Sequence, residues 1–72
     1  MLSVGSIVKI KPLMVDYLKS ATFCDLEQEF KIRRVIDGEY FHLRGVETNE
    51  KVLVGEDEEY NFTEEDFEDE CI

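Results

Sequence analysis

The chain has no tryptophan, a single proline, a single histidine and only two cysteines among its 72 residues. Each scarcity excludes something. Two cysteines, Cys24 and Cys71, do not make a disulfide framework, and separate thiols in a reducing compartment are expected. One histidine leaves no His-based metal set, and Cys24, His42 and Cys71 lack zinc-ligand spacing. No apolar run nears the roughly 18 residues of a membrane span. The opening residues "MLSVGSIVKIKP" have neither the basic flank nor the long apolar core of a secretory leader, so a cytoplasmic protein without membrane contact is expected. The sequon at Asn61-Phe62-Thr63 then carries no glycan.

Cations are the other scarcity. Eight Lys/Arg face eighteen Asp/Glu, a net charge of −10. Residues 1–46 hold seven Lys/Arg against six acids, a net +1, and residues 47–72 hold Lys51 alone against twelve acids, a net −11. This imbalance argues against direct binding of nucleic-acid phosphates, which needs a basic footprint.

The apolar share, 43%, is that of an ordinary globular chain. At this length one small domain is expected, burying only about 60% of its unfolded surface. "VGSIVKIKP" alternates Val8 and Ile10 with Lys9 and Lys11, a half-buried strand that Pro12 ends. Leu13, Met14, Tyr17, Leu18 and Ala21 fit a helical stripe of about two turns with Pro12 at its start, followed by a loop over 20–25. In "EFKIRRVIDGEYFHLRGV", Phe30 and Ile32 alternate with cations, and the pattern slips at Arg33-Arg34, which predicts a bulge. Asp37-Gly38 is a hairpin-turn signal. Phe41 and Leu43 form the next strand, and a turn near Glu47–Glu50 leads to a third at Val52, Leu53 and Val54.

The acidic end "VGEDEEYNFTEEDFEDECI" carries three aromatics between Tyr60 and Phe67, too many for a solvated tail. Thr63-Glu-Glu-Asp66 fits a capping box opening one helical turn, whose acids suit a helix N-terminus. The chain is therefore expected to fold to Phe67, with 68–72 either a short closing strand or a frayed end.

Three stretches carry a resemblance: "VGSIVKIKP", "EFKIRRVIDGEYFHLRG" and "YNFTEEDFE". Together they resemble the small SH3-like barrel proteins of bacteria, phages and mobile elements. Ser6 stands where those proteins usually have an acid, and Phe62 where tryptophan is common. The resemblance implies an all-β, five-stranded SH3-like barrel spanning 1–72, with one short helical turn near the C-terminus and room for a short helix in the first loop. It implies no activity, since fold does not fix function. The proline-peptide groove of eukaryotic SH3 domains has no counterpart, there being no tryptophan pair and no "ALYDY"-like stretch.

Nothing in the spacing marks an enzyme or a cofactor. His42 stands at an outward strand position, and neither cysteine is placed beside it by sequence. There is no glycine-rich phosphate loop. Asp57, Glu59, Asn61, Thr63, Glu65 and Glu68 have a partial EF-hand rhythm, but Phe62 occupies the position that needs glycine. Thr63 suits an acid-directed kinase, but capping explains the same residues. What remains is the charge, which exceeds the magnitude of roughly 2–8 that solubility requires.

A non-enzymatic binding module is therefore expected, docking a basic protein surface through Glu56, Asp57, Glu58, Glu59, Glu64, Glu65, Asp66, Glu68 and Asp69. That partner would suit a nucleic-acid-binding protein, and the resemblance points to a phage-encoded modulator acting as a monomer. Two alternatives stay open. The acids could mimic DNA phosphates and inhibit a nucleic-acid-binding enzyme. Or the first loop could bind through Leu13, Met14, Tyr17, Leu18 and Phe23, a mode that high salt would not disrupt.

Overall fold

The computed structural model describes residues 2–68. They form a mostly β unit in the order β1 (Ile7–Lys9), α1 (Pro12–Leu18), β2 (Glu29–Ile36), β3 (Tyr40–Gly45) and a 3-10 turn (Glu64–Asp66). The three strands make one antiparallel sheet in the order β1-β2-β3.

The register follows the alternation of the sequence. Val8 pairs with Phe30, and Ile32 with Leu43, so apolar positions share the inner face. The expected slip is present as a register shift between Ile32 and Arg34. It adds Arg33 to β2, returns Val35 to the inner face opposite Phe41, and leaves Arg34 opposite His42. Asp37 and Gly38 both take positive φ, 55° and 68°, as the central positions of a primed turn demand. Glu39 N–H closes that turn on Ile36 C=O at 3.0 Å, and three residues separate the paired Ile36 and Tyr40.

α1 starts at Pro12, whose ring presets φ and whose missing N–H is not needed in the first turn. At seven residues it is shorter than the roughly 12–15 that hold a helix alone in water, so packing must hold it. Leu18 supplies this by complete burial, and Met14 and Val15 lean on the same core.

The acidic end folds back onto the sheet. Phe62 and Phe67 are buried and their rings stack at 5.9 Å, while Phe67 meets Phe41 edge-on at 5.8 Å. The burial of Phe30, Ile32 and Phe62 is complete, and each such side chain stabilises the fold by roughly 1.5–3 kcal/mol. The carboxylate arm of the capping box is formed, with Thr63 N–H donating to Asp66 Oδ2 at 2.9 Å.

The later segments join more sparsely than the alternation suggests. Val52 to Val54 is not a continuous strand. Isolated bridges join Arg44 to Lys51, Leu53 to Glu59 and Phe41 to Phe62. Glycine and four consecutive acids follow Val54, so the ladder has no apolar residues to continue it. Phe67 bridges Ile10, and Glu68 N–H donates to Lys9 C=O at 2.8 Å. Residues 69–72, expected as a closing strand or frayed end, lie outside the described residues.

Candidate functional site

Two of the sequence signals, the exposed first loop and the acidic run, meet at one cavity. It has a volume of about 600 Å³ and lies between the loop carrying Ala21 to Cys24 and the segment from Glu50 to Glu56. Leu53 and Val54 give it apolar lining, and Phe23, Glu50, Lys51 and Glu56 also line it. Phe23 is fully exposed, at 108%. Thr22 just before it is buried, and Cys24 just after it is half-buried. The loop is thus anchored on both sides of an aromatic ring that faces solvent.

Cys24 is not an activated thiol. Burial, followed by the nearby Glu50 carboxylate, pushes its thiol up to about 11. A thiol at that value stays almost wholly protonated near neutral pH and is a poor nucleophile.

The five first-loop residues divide. Leu13 and Tyr17, four apart on α1, are exposed at 82% and 69%, and Phe23 is exposed with them. Leu18 belongs to the core and is not available to a partner, while Met14 packs partly against that core and is partly exposed. The helical period turns these two inward.

The acidic residues divide as well. Glu56, Asp57, Glu58, Glu64 and Glu65 are exposed and form no ion pair among the described residues. Asp66 is committed to the cap. Glu56, Glu64 and Glu68 line three different cavities: Glu56 that of Phe23, Glu64 one with Leu2, Val4 and Val35, and Glu68 one with Lys9, Pro12 and Glu27. Asp69 lies outside the described residues.

Glu59 is a correction to the acidic surface. Its side chain is 12% exposed and holds Arg33, with Arg33 Nε donating to Glu59 Oε1 at 3.0 Å and Nη2 donating to Oε2. Burial alone would raise the Glu59 carboxyl, but Arg33, with lesser help from His42 and Lys51, holds it below its ordinary value. The same contact raises Arg33. The Arg33 bulge brings the two together, a relationship that no local spacing encodes.

His42 stands on the outer face as expected but is not a free surface group. Its side chain is 12% exposed, its Nε2 lies 2.8 Å from Asn61 Oδ1, and its Nδ1 lies 3.7 Å from Glu59 Oε2. No cysteine joins this cluster among its hydrogen bonds and ion pairs. Among the described residues no group of three His, Cys, Asp or Glu side chains gathers as a metal site, and no helix is long and apolar enough to cross a membrane.

No protein-family model, curated protein or solved structure matches the chain.

Proposed function

We propose that this protein is a non-enzymatic binding module that docks a basic, apolar-bearing segment of a larger protein in the cavity beside Phe23. One observation carries the reading: Phe23 and Glu56 line the same cavity. In this reading one residue of the apolar set, Phe23, and one of the acidic set, Glu56, act as parts of one surface. Interfaces commonly place aromatic anchors at the centre and charged groups at the rim. Here Phe23, Leu53 and Val54 would be the centre, and Glu56, Asp57 and Glu58 the rim. A lysine or arginine of the partner would lay its stem on the apolar lining and its charge over the Phe23 ring. The unpaired acids would speed its arrival more than they hold it.

The isolated bridges at Lys51, Leu53, Phe62 and Phe67 support reading the later segments as the further strands of a five-stranded SH3-like barrel. A phage-encoded modulator acting on a host protein is consistent with this, as is a cytoplasmic monomer.

The test is retention of a partner from the producing cell's lysate by tagged wild type, by Phe23→Ser and by the combined Glu56→Gln, Asp57→Asn, Glu58→Gln variant. Phe23 is fully exposed, so its replacement should change stability by less than about 0.5 kcal/mol. A basic protein kept by the wild type, released at lower salt by the acid variant and lost by Phe23→Ser is the expected result. Equal retention by all three would overturn the proposal. Competition of the retained protein with DNA would show that the acids stand in for phosphates.

A further inference from the structure

The outer face of the sheet gathers cations on an otherwise acidic molecule. Lys31 pairs with Arg44 across β2 and β3, and Arg44 bridges Lys51 on its other side. Three cations therefore lie in one row across three neighbouring chain segments, spanning about 10 Å between the outer Cα atoms. Arg34, opposite His42, adds a fourth on the same face. Among the described residues none of the four forms an ion pair, although Glu59, held by Arg33, lies near enough to Lys51 to feel its charge, and Arg44 Nε is buried without a hydrogen-bond partner. Like charges directly opposite one another destabilise a sheet, and a bound anion removes that cost.

We infer that this row is a contact site for the phosphate backbone of single-stranded nucleic acid. The row lies on an open sheet face, which suits a chain running across a surface better than a small molecule that needs enclosure. Long side chains on a 10 Å row reach two or three successive phosphates. Tyr40 stands four residues before Arg44 on β3, on the same outer face, and is 37% exposed. At 3.4 Å per residue its ring lies about 13 Å along the strand, where a base of the same segment can stack. A carboxylate-rich peptide would use the cations and leave the ring idle. Duplex DNA would bring a broad anionic surface against Glu29, Glu47 and Glu50, which stand beside the row in the sequence.

The net charge of −10 weighs against polyanions as a whole and is the basis for expecting no nucleic-acid contact from composition. It acts over distance, however, and salt at 0.15 M screens it beyond roughly 8 Å. Direct contacts at the row lie inside that range. The row shares Lys51 with the lining of the cavity at Phe23, whereas Lys31, Arg34, Arg44 and Tyr40 stand outside that lining.

The experiment is fluorescence anisotropy of a labelled twelve-nucleotide oligothymidylate with the full chain, titrated at several salt concentrations. Binding is expected to weaken with salt at a log–log slope of roughly −2, for about three phosphates at −0.7 each. Lys31→Gln with Lys51→Gln, both exposed positions, should weaken it at least tenfold, and Tyr40→Ala should weaken it without changing the slope. Phe23→Ser should leave it unchanged. Absence of binding at every salt concentration from 20 to 150 mM, binding insensitive to the Lys31/Lys51 changes, or equally tight binding of oligoglutamate or of duplex DNA would each overturn the inference.

Discussion

Arg33 and Glu59 are joined by a two-point ion pair across 26 residues of sequence, and this contact ties β2 to the acidic segment. Their side chains are 22% and 12% exposed, so the pair is shielded from the screening that weakens surface ion pairs. Replacing Arg33 with Met would strand a half-buried carboxylate and should cost roughly 1–3 kcal/mol, read by urea unfolding at pH 7.

The same pair makes stability depend on pH. Glu59 is held below its ordinary value, so between the folded and unfolded pKa values the unfolded chain binds more protons. Its contribution is complete above the unfolded value of about 4.3 and is lost as pH falls through the lower folded value. Acidification also relieves the general repulsion of a chain at −10, so the comparison needs a control. Unfolding free energy measured from pH 6 to pH 2 should fall less steeply in Glu59→Gln than in wild type. Parallel curves would remove the pair's role.

Asp66 closes the 3-10 turn by accepting from Thr63 N–H. Asp66→Ala leaves that donor uncapped and should cost about 0.5–2 kcal/mol, as lost caps generally do. Glu64→Ala and Glu65→Ala remove exposed acids that cap nothing, and each should stay within about 0.5 kcal/mol of wild type by thermal unfolding.

Cys24 should resist alkylation. With its thiol pushed up to about 11, its thiolate fraction at pH 7.5 is on the order of a hundredfold below that of an ordinary cysteine. Iodoacetamide labelling followed by peptide mapping should show Cys24 modified at least tenfold more slowly than in the urea-unfolded chain. Equal rates would mean that the loop around Phe23 does not hold its thiol against the fold.

The features legible in the sequence are those written in short windows. Pro12 before an apolar stripe marks α1, Asp37-Gly38 the hairpin, Arg33-Arg34 the bulge, and Thr63 with Asp66 the cap. What the sequence hides depends on register and distance. Glu59 reads as one acid in a run of four until the bulge brings Arg33 to it. Leu13, Tyr17 and Leu18 read as one apolar stripe until packing buries Leu18 and leaves Leu13 and Tyr17 in solvent. Lys31, Arg44 and Lys51 are unremarkable until pairing sets them side by side. The cavity at Phe23 needs two segments about thirty residues apart, and neither names the other.

The most direct measurement places a photo-crosslinking phenylalanine analogue at position 23 and, in a second protein, at position 31 on the sheet face, each irradiated in lysate of the producing cell. Docking in the cavity predicts one basic protein attached from position 23, diminished by the Glu56→Gln, Asp57→Asn, Glu58→Gln change and absent from position 31. No protein attached at position 23, or the same proteins attached from both positions, would contradict it.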